Sequence, residues 1–95
     1  MNSKERSYLR KEASKMQPII HIGKDGMSDN IVTQVKDALK ARELIKGKIQ
    51  QNSLEDVREV ANYLADKTNS QVVTTIGNTF ILYKRNPDKN KYEVL

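Results

Sequence analysis

The chain has 95 residues, a net charge of +5 and no cysteine, which is one domain's worth of sequence with no disulfide framework and no thiolate chemistry. No stretch approaches the roughly 18 consecutive apolar residues of a membrane-crossing helix, and the opening Met-Asn-Ser-Lys-Glu-Arg-Ser runs into charge rather than into the apolar centre of a signal peptide. The expectation is a cytoplasmic protein with no membrane partner.

The charge is unevenly spread. Residues 1–26 carry six Lys/Arg against three Asp/Glu, residues 27–70 seven of each, and residues 71–95 four against two. The positive excess sits at both ends of the sequence. If the fold brings the ends together, they form a basic face suited to a polyanion, which binds by releasing its counterions. An ordinary solvated surface would give the same total.

Residues 3–16 read as a helix, with Ser3 as N-cap and Leu9, Ala13 and Met16 at helical spacing. Lys4, Arg6, Arg10, Lys11 and Lys15 make the rest of its surface basic. Pro18 stops it, because the residue before a proline is pushed out of the helical region. Residues 19–22 (Ile-Ile-His-Ile) are a short β-branched run, the signature of a buried strand. Two glycines, Gly23 and Gly26, then bracket Lys24 and Asp25. Ser28 or Asp29 caps a second helix whose buried stripe is Ile31, Val35, Ala38 and Leu39. Residues 44–50 alternate as a strand does, with Ile45, Gly47 and Ile49 to one face and Lys46, Lys48 and Gln50 to the other. Ser53, with Asp56 three positions on, resembles a capping box. It opens a third helix to about Thr68, with Leu54, Val57, Ala61, Leu64 and Ala65 as its stripe, and Asn69-Ser70 breaks it. Residues 71–76 and 79–84 are two strands joined by Gly77-Asn78, a tight hairpin turn. Asn86-Pro87-Asp88 is a further turn. The last seven residues read as a loose polar tail, with a short strand over residues 92–95 as the other option.

The order α-β-α-β-α-β-β makes one α/β domain over residues 1–85 with a short polar tail over 86–95. Two βαβ units imply parallel pairing with right-handed crossovers, and the hairpin adds an antiparallel pair. A four-stranded mixed sheet with helices packed on it is the economical architecture. The alternation over residues 44–50 implies a sheet face that is not fully covered, with lysines pointing out of it, a common platform for RNA.

The chemistry of catalysis is missing from this pattern. His21 is the one histidine, and no cysteine or second histidine exists to complete a metal site around it. A structural role, or exposure on one strand face, is its reading. No serine, histidine and acid fall at a spacing that builds a hydrolase site. Glu55, Asp56 and Glu59 have helical spacing and read as a solvated face opposite Arg58. A nucleotide-hydrolysing phosphate loop needs a glycine where Pro18 stands and a Ser or Thr where Asp25 follows Lys24. No enzyme, cofactor or metal is expected.

Gly23-Lys24-Asp25-Gly26, between a strand and a helix, has a specific physical use. Glycine lets the backbone take positive φ and approach a ligand closely. The loop leads into a helix N-terminus, whose free amides and dipole favour phosphate, and Lys24 adds a mobile charge at the tip. Together these hold a nucleic-acid backbone without reading bases, as the GXXG loop of KH domains does. Asp25 cancels part of that field and has another use in bonding its own turn. A plain strand-to-helix turn is the competing reading of the motif taken alone. The basic first helix, the lysines of residues 44–50 and the terminal Lys84-Arg85 favour the backbone-binding one.

At these residues the sequence resembles the CRM domain family (chloroplast RNA splicing and ribosome maturation), in its short bacterial YhbY-like form. The matching stretches are Arg6-Ser7-Tyr8-Leu9-Arg10-Lys11, Pro18-Ile19-Ile20-His21-Ile22-Gly23-Lys24-Asp25-Gly26, Ala41-Arg42-Glu43-Leu44-Ile45-Lys46 and Ile76-Gly77-Asn78-Thr79-Phe80-Ile81-Leu82-Tyr83-Lys84. They fall in unbroken order over residues 3–85. The resemblance implies an α/β domain similar to the C-terminal domain of a bacterial translation initiation factor, with the G-x-x-G loop as its RNA-binding element. It also implies an association with precursors of the large ribosomal subunit, whereas multidomain plant relatives assist group II intron splicing. Two positions depart from the family pattern. Asn78 stands where the hairpin usually carries a basic residue. Gly47 stands where the strand usually continues with a bulkier apolar residue; an interior glycine costs roughly 0.5–1 kcal/mol relative to alanine and marks a bulge or a close helix contact.

The expected function is therefore non-catalytic RNA binding in large-subunit assembly. Gly23, Lys24, Asp25 and Gly26 would contact ribosomal RNA phosphates, supported on charge grounds by Arg10, Lys11, Lys46, Lys48, Lys84 and Arg85. The alternatives are a module that docks on ribosomal proteins through its neutral helices, and a nonspecific binder of duplex DNA, for which no major-groove reader is recognisable.

Overall fold

In the computed structural model, which describes residues 1–24, 26–51, 55–88 and 92, the elements follow the predicted order. They are α1 (Ser3–Ala13), β1 (Ile20–Ile22), α2 (Asp29–Arg42), β2 (Leu44–Ile49), α3 (Val57–Thr68), β3 (Gln71–Ile76) and β4 (Thr79–Tyr83). Each helix begins on a side-chain cap. The Asn2 carboxamide, one residue earlier than the predicted Ser3, accepts from the Glu5 amide at 2.8 Å. A cap residue must keep extended backbone while the next residue turns helical, and Asn2 does so at φ −88° and ψ 173°. Ser28 caps α2, its hydroxyl accepting from the Ile31 amide at 3.3 Å. Asp56, which the sequence pattern cast as the acid of a capping box, is itself the cap of α3 and accepts from the Arg58 amide at 2.7 Å. The third helix thus starts at Val57; Ser53 and Leu54 lie outside the described residues. The first helix stops at Ala13, short of Met16.

The sheet has four strands in the order β1-β2-β4-β3. Only β1 and β2 pair in parallel; β4 runs antiparallel to both β2 and β3 and lies between them. The parallel pairing expected of the second βαβ unit does not form. The reason is local: the turn at Gly77 (φ 57°) folds β4 straight back along β3, so the inner edge of β3 is taken before β2 can reach it.

Both faces of the sheet carry helices. Ile22, Ile45, Ile49, Phe80 and Leu82 pack against α2 and α3 through Val35, Leu39, Ala61 and Leu64. On the opposite face Leu44, Val73 and Ile81 lie beneath Leu9 and Ala13 of α1, with Tyr83 and Tyr92 at the margin. The face predicted to be open is therefore partly roofed by α1. Leu44 is why: it lies on the lysine-bearing face and is fully buried there.

Gly47 marks neither a bulge nor a helix contact. It sits directly across from Phe80, and a Cβ added to it would collide with the Phe80 ring. The bulge lies in β3, between Val72 and Thr74, where Arg6 Nη1 donates to the carbonyls of Val72 (3.0 Å) and Val73. Beyond β4 the chain is fastened to the end of α2: the Asn86 amide donates to Glu43 Oε2 (3.2 Å) and its side chain to the Lys40 carbonyl (3.3 Å). Of residues 92–95 only Tyr92 is described, so the optional strand there lies outside the described residues.

Candidate nucleic-acid interface

Strands β1, β2 and β3 point the same way, so their carboxyl ends share one edge of the sheet. The segment 23–26, Gln50 and the Gly77-Asn78 turn meet there. The Gln50 amide donates to the Ile22 carbonyl, and the Ile49 amide to the Asn78 carbonyl, both at 2.8 Å. Within the loop the Gly26 amide donates to the Gly23 carbonyl at 3.1 Å and closes a turn. Gly26 has φ +80°, a conformation that L side chains rarely adopt, whereas among the described residues a Cβ on Gly23 would meet just Gln50 Oε1, at 3.7 Å. Lys24 is exposed at the tip. Asp25 lies outside the described residues.

The two flanks of this loop differ in sign. On the side of α2 and α3, Glu55 Oε1 accepts from the Met27 amide at 3.2 Å, and its carboxylate occupies the space a Cβ on Gly26 would need. Glu55 thus precedes α3 and leans on the loop: it is solvated as predicted but does not stand on the helix face. It lines a groove of about 550 Å³ with Met27, Ser28, Asp29, Asp56, Glu59, Val60 and Tyr63. On the side of α1, His21 pairs in register with Lys48, Lys48 with Thr79, and Thr79 with Ile76. These four form a row across the whole sheet on the face that α1 leaves bare. His21 and Lys48 are exposed there, and Ile76 is 60% exposed.

Residues 1–84 match the family profile described as the CRS1 / YhbY (CRM) domain. The chain belongs to the CRM domain family. It is 42% identical over 94 residues to the Bacillus subtilis protein named "Probable RNA-binding protein YqeI", covering 99% of this chain and 98% of that one. It is 31% identical over 90 residues to the Arabidopsis thaliana protein named "CRS2-associated factor 1, mitochondrial", covering 92% of this chain and 22% of the plant protein. The solution structure of a hypothetical Staphylococcus aureus protein aligns with a TM-score of 0.85 at 35% identity, covering 100% of this chain and 99% of that one.

The CRM fold divides the basic residues singled out in the sequence. Lys24 and Lys48 lie at the loop edge and on the bare strip beside it. Arg10 and Lys11 are exposed on the last turn of α1. Lys46 is committed elsewhere: its Nζ donates to the carbonyls of Ala13 (3.4 Å) and Met16 (3.2 Å), where the chain leaves α1. Lys84 follows β4 at the opposite end of the sheet, its amide on the Glu43 carbonyl and its Nζ on the Thr68 carbonyl (3.2 Å) at the end of α3. Arg85 lines a cleft with Lys36, Lys40 and Asn86 at that far end. Sequence reasoning missed His21, Ile76 and Glu55 as neighbours of the loop. Strand register places the first two and the docking of α3 places the third, and neither leaves a local sequence signal.

Proposed function

We propose that this CRM domain is a non-catalytic cytoplasmic RNA-binding protein that acts on large-subunit ribosomal RNA or its precursor particle. It holds the RNA backbone at the sheet edge formed by residues 23–26. The carrying observation is the convergence at one edge of exposed Lys24, two turns and the Lys48 strip, in a family whose relatives bear RNA-binding names. Lys24 supplies a point charge. The Asp29 and Asn30 amides, which have no acceptor among the described residues, supply oriented donors at the start of α2. The acids between α2 and α3 repel a polyanion, so the strand approaches from the α1 side and lies along His21, Lys48, Thr79 and Ile76. These contacts act on phosphate and on exposed base faces rather than on base edges, so affinity is salt-dependent and weakly sequence-specific.

Lys24→Ala is expected to weaken binding of single-stranded RNA and to lower the slope of log K against log salt by about 0.7, one phosphate contact. Unchanged affinity and slope in a folded Lys24→Ala protein would overturn the proposal. Crosslinking in cells followed by sequencing of bound fragments tests the ribosomal target. A second reading, docking on ribosomal proteins, is favoured by the acidic groove and by Tyr63, which is 43% exposed beside it. Association with the particle that survives nuclease treatment would support that reading.

A further inference from the structure

Arg58 stands where helix stability does not want it. It is the second residue of α3, just past the Asp56 cap, and the helix dipole favours anions there and disfavours cations. Its guanidinium has no hydrogen-bond or ion-pair partner among the described residues. A residue that breaks a local rule without a compensating contact points to a role outside the fold. The start of α3 is also divided: the acids Asp56 and Glu59 line the groove toward α2, whereas Arg58, with Asn62 one turn on, lines a separate cleft toward β3.

That second cleft, of about 380 Å³, follows the outer strand and is completed by Arg6, Thr74, Thr75 and the bulge residues Val72 and Val73. Among the described residues no acidic one lines it. Arg6 is held in place by its Nη1 bonds to the two bulge carbonyls. A guanidinium has five N–H donors in a fixed fork, so the remaining ones stay available to a ligand. Two guanidiniums, a carboxamide and the polar residues Thr74 and Thr75 of the edge strand make a donor-rich site whose chemistry fits phosphodiester oxygens.

We infer that this cleft is a second phosphate site for the RNA strand held at the loop. The inference rests on the RNA-binding reading above. Three strand spacings separate β1 from β3, about 14 Å across the sheet. The bare row of His21, Lys48, Thr79 and Ile76 spans that distance, and Thr75 adjoins Ile76 at its far end. One strand that starts at Lys24, follows the row and turns round the outer edge of β3 meets Arg6 there and then Arg58, which stands on the α3 side of that edge.

The test compares wild type, Lys24→Ala, Arg58→Gln and the double variant in binding a long single-stranded RNA across a range of salt. Arg58→Gln should bind several-fold more weakly, with a slope lower by about 0.7. The losses of the two single variants should multiply in the double. Thermal unfolding should show Arg58→Gln folded with an undiminished midpoint. An RNA too short to bridge about 14 Å should respond to Lys24→Ala and not to Arg58→Gln. Wild-type affinity in Arg58→Gln, with Lys24→Ala weakened, overturns the second site and leaves the loop site standing. No RNA binding by the wild type overturns both. Amide NMR shifts of Thr74 and Thr75 that a mononucleotide reproduces as fully as RNA would assign the cleft to free phosphates and overturn the inference.

Discussion

Gly47 and Phe80 face each other across β2 and β4, and the pair explains a glycine that strand propensity alone disfavours. Room for the aromatic ring outweighs the lost side chain. Gly47→Ala is expected to destabilise the fold by about 1–3 kcal/mol, because the added carbon must push a fully buried ring; the midpoint of urea unfolding measures it. At the loop, the Glu55 carboxylate already bonds the Met27 amide and stands beside Gly26. A phosphate bound at the proposed loop site would be repelled by that carboxylate. Glu55→Gln removes that negative charge, so RNA affinity should rise while the Lys24 contribution to the salt slope persists. Weaker binding by Glu55→Gln would count against phosphate at this position. Legibility at this scale was uneven. Gly26 was singled out from its motif, and its φ of +80° justifies the choice. Gly23 shared the motif without sharing the constraint.

Each helix end meets a partner that a linear reading cannot supply. The α1 exit is held by Lys46 of β2, which donates to the Ala13 and Met16 carbonyls, and the α3 terminus by Lys84, which donates to the Thr68 carbonyl. A lysine alternating with apolar residues reads in sequence as exposed, and Lys48 is. Lys46, two positions earlier on the same face, lies beneath the end of α1. Lys46→Ala should lower stability by about 1 kcal/mol through the lost bonds while leaving the salt slope of RNA binding near that of wild type. A slope reduced as much as in Lys24→Ala would place Lys46 on the RNA instead. Helix starts were legible to within a few residues, because caps are short-range. Asn2 displaced Ser3, and Asp56 took the capping role itself, since the cap belongs to whichever residue keeps extended backbone.

Across the whole molecule, the two ends of the chain do meet: Leu9 and Ala13 of α1 pack with Ile81 and Tyr83 of β4. Among the described residues the basic groups of the two ends stay apart: Lys84 is turned to the Thr68 carbonyl, and the 84–85 segment lies at the far end of the sheet from Lys24. The sequence by itself determined the element order, the apolar stripes, the hairpin and the position of the glycine loop. All of these depend on periodicity, on capping and on the backbone freedom of particular residues, which act over a few positions. Tertiary structure alone decided the strand order β1-β2-β4-β3, the roof of α1 over part of one face, the Glu55 contact and the arginine-lined edge of β3. Those features join residues distant in the chain, and their energies come from which faces bury one another, a competition that no local pattern records. The loop and a lysine-bearing sheet face were therefore visible from the start, while the row from His21 to Ile76 that crosses that face was not.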